Sequence, residues 1–188
     1  IPFETLQSSW TSVPWVFLDC YLLVQAIYLL NSYFGAESDR LNPRFEDKRI
    51  ENAPAAKTFM FLSFGFLGLS IAINLFFQWN GWLLLIAINY LLWACYAHPK
   101  INLKGHFVFG TATHFTSGII NFHIGYLCFA DFSWLSFIIS IYFSLLFSAG
   151  HLHHMVLDYE ADRAADTRTF ANVYGFKASM YFSALLVL

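Results

Sequence analysis

Residues Trp134–Asp166 read WLSFIISIYFSLLFSAGHLHHMVLDYEADRAAD: twenty-four residues without an Asp, Glu, Lys or Arg, then Asp158, Glu160, Asp162, Arg163 and Asp166 within nine. An unpaired backbone polar group in hydrocarbon costs several kcal/mol, so an apolar run of roughly 20 residues predicts a helix that crosses a membrane while bonding its own amides. Carboxylates that follow directly on such a run stand at the membrane surface.

Four further runs of this kind lie upstream: Val13–Leu30, Thr58–Phe77, the shorter Trp82–Ala97, and Phe107–Phe129. Another begins at Ala178 and is still apolar at Leu188. With 58% hydrophobic and only 12% charged residues, a water-soluble globule is excluded. A net charge of −2 with 10 Lys and Arg offers no basic field, so nucleic acid is not an expected partner. Three cysteines, Cys20, Cys95 and Cys128, all in apolar runs, make neither a disulfide scaffold nor a zinc framework. The predicted fold is all-α: a polytopic transmembrane helix bundle of five full spans plus the start of a sixth. Residues 1–188 form one transmembrane domain, expected to be cut at both ends because the chain starts without Met and stops inside an apolar run.

The few charges are concentrated. Of 22, ten fall between Asn31 and Lys57 and seven between Asp158 and Lys177. Alternating spans place Asn31–Lys57, His98–His106 and Asp158–Lys177 on one side, and these three loops hold every Lys and Arg. Short loops rich in Lys and Arg stay cytoplasmic, which predicts an integral, multi-pass protein with its acidic loops in the cytoplasm. Trp10, Trp15, Trp79, Trp82 and Trp134 near the predicted span ends suit an interfacial belt.

Asp158, Asp162 and Asp166 recur at i, i+4, i+8, so a helix continuing past Leu157 would stack them on one face. Stacked carboxylates repel unless a cation sits on them, and hard oxygens suit Mg²⁺, which takes one or two carboxylates plus substrate phosphate oxygens. Arg163 and Arg168 follow, in reach of phosphate. The alternative is a solvated amphipathic loop helix in which Arg163 pairs with the acids. In the first loop Asn31 and Asp39 are also two helical turns apart. Along Phe107–Phe129, Gly110, His114, Ser117, Asn121 and Gly125 form a small and polar stripe, which reads either as close helix packing or as a substrate lining. His151, His153 and His154 form H-x-H-H. The i, i+4 relation of His154 to Asp158 makes it a candidate phosphate partner, while His114 and His123 read as interhelical hydrogen bonds or as pigment ligands.

These motifs together resemble the UbiA superfamily of membrane prenyltransferases. Asn31, Glu37, Asp39, Asn42 and Pro43 are similar to its first acidic motif, and Asp158, Glu160, Asp162, Arg163, Thr169 and Gly175 to its second. Between them Tyr96-Ala-His-Pro99-Lys-Ile-Asn-Leu103-Lys104 resembles the family's cytoplasmic loop. Ser32 and Gly35 stand where the family carries its first two aspartates, and Asp166 where it carries glycine. The resemblance implies a nine-helix bundle and transfer of a prenyl group from a polyprenyl diphosphate to an aromatic, tetrapyrrole or similar lipophilic acceptor. It implies Mg²⁺ on Asp158, Asp162, Asn31 and Asp39, with Asp158, Asp162 and Lys104 catalytic. Substrate would be held by Asn31, Arg163, Arg168, Tyr96 and His154. The missing carboxylates leave a second reading, a non-catalytic membrane subunit that keeps the fold and binds lipid, quinone or pigment.

Overall fold

The computed structural model describes residues 11–39, 53–77, 80–164 and 167–188, with the backbone alone at 37–39, 53–56 and 80–81. Among the described residues every regular element is helical. In chain order they are α1 (Val13–Asp39), α2 (Ala53–Phe76), α3 (Asn80–Ala97), a 3-10 turn η1 (Leu103–Gly105), α4 (Phe107–Tyr126), α5 (Trp134–Leu157), α6 (Tyr159–Ala164), α7 (Phe170–Tyr174) and α8 (Phe176–Val187).

α1 runs nine residues beyond the apolar stretch that ends at Leu30, because nothing between Asn31 and Asp39 breaks a helix. Its 27 residues span about 40 Å at ~1.5 Å per residue, more than the ~30 Å of a bilayer's hydrocarbon core. Among the described residues three helical segments have the length and apolarity to cross a membrane by themselves: Val13–Ala36, Lys57–Phe76 and Trp134–Leu157. Two of the five expected spans do not meet that measure on their own. Trp82–Ala97 is shorter than a full span, and α4, with 20 residues, is diluted by His114, Ser117, Asn121 and His123. α5 opens on a capping box, in which Ser136 N–H donates to Ser133 Oγ (3.0 Å) and Ser133 N–H to Ser136 Oγ (3.1 Å).

α1 packs along α2, α4 along α5, and α8 returns along α5, while α3 touches α1 and α4 and joins the two halves. The core where they meet takes Leu23, Ala26, Ile27 and Leu30 from α1, Ile86 and Tyr90 from α3, and Ile120 and Ile124 from α4. The α1 set follows i, i+3, i+4, i+7, one face of a helix. Polar groups cross-link the interior. Ser63 of α2 donates to the Ala26 carbonyl (2.6 Å) and bonds the Tyr90 hydroxyl (2.8 Å), and Ser70 donates to the Asp19 carboxylate. Ser117 of α4 donates to Asn89 of α3 (2.8 Å) and accepts from Trp93 (2.7 Å), and Asn89 donates to Asn121 (2.7 Å).

The polar stripe on α4 therefore faces protein. Gly118 marks the closest approach, since a Cβ there would stand 2.8 Å from Ser144 Cα. Opposite it, Ser136, Ser140, Ser144 and Ser148 form a buried ladder along α5. Small residues at a seam let backbones approach, which drives helix association where water cannot. Large side chains face outward: Phe76 is 80% exposed, Tyr181 77% and Phe17 73%, while Ser63, Ser70, Asn74 and Asn89 are fully buried. Polar inside and apolar outside is the pattern of an integral membrane protein. Trp134 and Trp15 are exposed, as a belt requires, but Trp82 is buried and packs inward. Trp10 and Trp79 lie outside the described residues.

Candidate functional site

The acidic segment is built from the end of α5. Asp158 leaves helical geometry (φ −97°, ψ 8°) for one residue, which interrupts the continuous helix expected from the spacing. The turn survives the break: Asp158 N–H donates to the His154 carbonyl (3.0 Å) and Asp162 N–H to the Asp158 carbonyl (2.8 Å). Asp158 and Asp162 thus remain one turn apart, whereas Asp166 lies outside the described residues. Beyond α6, Thr167 N–H donates to the Asp162 carbonyl (2.8 Å), and an isolated parallel bridge joins Arg168 to His106 at the start of α4. Gly175, at φ 91°, then lets the chain turn from α7 into α8.

Around this turn the carboxylates meet groups from two other segments. Burial, and next to it the neighbouring Asp158, push the Asp162 carboxyl up to about 6, against the pull of Thr169 and Lys104. The Thr169 hydroxyl is buried and closes no hydrogen bond of ordinary length, yet it stands near enough to favour the charged Asp162. The Tyr96 hydroxyl, at the end of α3, is within electrostatic reach of Asp162 and Asp158, and Lys104 of η1 within reach of Asp162. Arg163 and Arg168 are exposed, as is His154.

α1 ends at the same end of the bundle, because Phe34 packs edge-on against His98, just past α3, with centroids 5.0 Å apart. Asn31, one turn earlier, holds its Oδ1 sealed from solvent without a hydrogen bond. Gly35 is buried. Of Asp39 only the backbone is described, at the last turn of α1. The carboxylate pair, Tyr96 and Lys104 therefore converge; Asn31 shares their end of the bundle, and its Oδ1 accepts no hydrogen bond.

The histidines differ from expectation. His114 and His123 make no interhelical hydrogen bond through Nδ1; each bonds the carbonyl four residues back, Gly110 and Ile119, at 2.9 Å. His114 instead stacks on His151 of α5, with centroids 3.5 Å apart and planes within 11°. His151 is buried, with Nε2 unpartnered, and both rings lie in electrostatic reach of His154. H-x-H-H drew attention to His154. The signal for His151 was its seven-residue offset from Asp158 and from Ser144, which puts all three near one helix face.

Among the described residues no three His, Cys, Asp or Glu side chains gather into a metal cage. Two carboxylates one turn apart offer hard oxygens at this turn, and the Asn31 amide oxygen lies at the same end of the bundle. That suits Mg²⁺, an ion that keeps waters and substrate phosphates in its shell.

The model of the UbiA prenyltransferase family matches residues 4–188. No curated protein and no solved structure matches the chain.

Proposed function

Since the chain belongs to the UbiA prenyltransferase family, we propose that it moves a prenyl group from a polyprenyl diphosphate to a lipophilic acceptor within the bilayer, and that it depends on Mg²⁺. The observation that carries this reading is the convergence of Asp158, Asp162, Tyr96 and Lys104 from three separate segments on one end of a membrane bundle. Asp158, Asp162, Asn31 and Asp39 would hold Mg²⁺, which supplies positive charge for a diphosphate leaving group. Lys104 and Arg168 offer donors to phosphate oxygens, with Arg163 and His154 at the exposed margin. Tyr96, close to both carboxylates, can donate its hydroxyl to a bridging or terminal phosphate oxygen as charge develops there. Trp93, Tyr96 and Phe147 pack around His114, and on this reading such rings would exclude water from the allylic carbon and face it with π density. The three sequence segments that carry every Lys and Arg on this reading face the cytoplasm.

The test is diphosphate release from farnesyl diphosphate by the full chain in nanodiscs, with and without Mg²⁺. Asp158→Ala and Asp162→Ala should each lower release at least 100-fold and Lys104→Met about tenfold. Release that persists in both aspartate variants, or that ignores Mg²⁺, overturns the reading and favours a non-catalytic membrane subunit.

A further inference from the structure

Beside the carboxylate turn one ring nitrogen is left without a partner. His151 is only 8% exposed, and its Nε2 is sealed from solvent with no hydrogen bond. The ring cannot easily turn away. It lies flat on His114, which is itself held by the Nδ1 bond to the Gly110 carbonyl. Tyr96 stands edge-on to both rings, its centroid 5.3 Å from His114 and 6.2 Å from His151. Two imidazoles at 3.5 Å repel each other if both are charged, so the pair takes up at most one proton.

Gly110 shapes the space in front of that nitrogen. A Cβ at this position would lie 3.5 Å from His151 Nε2, 3.5 Å from the Leu103 carbonyl and 3.6 Å from the Lys104 carbonyl. The missing side chain leaves a notch walled by a ring nitrogen and two carbonyl oxygens, all acceptors when the neutral imidazole carries its proton on Nδ1. What completes such a notch is a donor, and a single hydroxyl has the right size. The notch adjoins the candidate diphosphate site through Lys104. The two carbonyl oxygens that wall the notch disfavour an anionic group there.

We propose that His151 is a catalytic residue of the acceptor half of the reaction: Nε2 takes the hydrogen bond, then the proton, of an aromatic hydroxyl on an otherwise uncharged acceptor. His114 is its positioning residue, and Gly110 keeps the notch open. The assignment rests on the prenyl-transfer reading. In the step, the acceptor O–H bond breaks and its proton goes to Nε2. The electron pair released into the ring forms the bond from a ring carbon to prenyl C1. The C1–O bond breaks with its pair leaving on the diphosphate, the dienone then returns its ring proton to the oxygen, and the proton held on Nε2 passes to the released diphosphate, which restores the neutral ring. An aromatic hydroxyl, with a pKa of about 10, can lose a proton to imidazole as the new bond forms, and an aliphatic alcohol is far too weak an acid.

The experiment uses the full chain in nanodiscs, labelled with [15N]histidine, and two probes, 4-methylphenol and its methyl ether 4-methylanisole. The phenol should shift the Nε2 resonance that is missing in His151→Gln, and the ether should not. Gly110→Ala, which places a methyl at van der Waals distance from Nε2 without removing the ring, should abolish the shift. With farnesyl diphosphate and 4-methylphenol, both variants should lower kcat for prenylated phenol at least tenfold and leave KM for the diphosphate within twofold. An unchanged Nε2 resonance, the same shift with the ether, or full turnover in Gly110→Ala overturns the assignment even where diphosphate release is intact. An Nε2 response without any Mg²⁺-dependent diphosphate release in the unmodified protein instead overturns prenyl transfer and the proton-transfer role with it.

Discussion

Asp162 combines partial burial with a carboxylate neighbour, and its titration follows from that. Its carboxyl is raised to about 6 from an ordinary value near 3.8, so in the folded, metal-free protein it stays mainly neutral up to about pH 6. The stability this provides is fully present below pH ~4 and is lost as pH rises through about 6. Metal-free protein should therefore melt at lower temperature at pH 7.5 than at pH 4.5, and Asp162→Asn should flatten that difference; a parallel pH profile in the variant would contradict it. Protons compete with the metal for the same oxygens. The Mg²⁺ concentration for half-maximal diphosphate release should accordingly rise several-fold as pH falls below 6. Gly35 makes the complementary case, since it is buried where the family carries a carboxylate. Ser32→Asp with Gly35→Asp should lower the Mg²⁺ requirement by adding hard ligands, and Gly35→Ala should not. Equal Mg²⁺ dependence in the two would exclude a metal role for this turn of α1.

Between elements, the contact that fixes the site's geometry is the seam of α4 and α5. Gly118 there admits the backbone of Ser144, and one turn back along α4 and two turns on along α5 His114 meets His151. Gly118→Val would push a side chain into the Ser144 Cα, a clash no rotamer relieves. Overpacking of this kind costs about 1–3 kcal/mol, and it should both lower the melting temperature and cut turnover by separating the stacked rings. Gly68 of α2 has nothing within 4 Å of a built Cβ. Gly68→Ala should leave stability and turnover unchanged or slightly improved. Comparable losses in both variants would show that the seam is not special.

For the molecule as a whole, the testable quantity is sidedness. The connections around Lys100 and Ala164 lie at the carboxylate end, as the Lys104 to Asp162 interaction and the His106 to Arg168 bridge require, and Asp131 lies at the far end between α4 and α5. In a background lacking Cys20, Cys95 and Cys128, cysteines at Lys100 and Ala164 should label from the cytoplasmic side and one at Asp131 from the other. Labelling of Lys100→Cys and Ala164→Cys from opposite sides would contradict the shared end. Common labelling from outside would reverse the orientation and keep the site.

Membrane character, helical class and the carboxylate turn were legible in the chain, because hydrocarbon forces backbone groups to bond within a segment and an apolar run announces itself without any neighbour. The pair Asp158 and Asp162 was legible for the same reason, as i, i+4 spacing is local. Three things were decided only by tertiary structure. α4 is diluted by polar residues and Trp82–Ala97 is short, and both are held by packing against their neighbours, so fewer runs qualify as spans alone than the sequence suggested. Helix orientation about its axis decides whether a histidine bonds its own helix or stacks across a seam, and the small residues that set it, Gly110, Gly118 and Ser144, carry no chemistry by themselves. His151 was hidden for that reason: its unpartnered nitrogen exists only where α5 lies against a glycine of α4, a relation between two helices that no spacing within either can state.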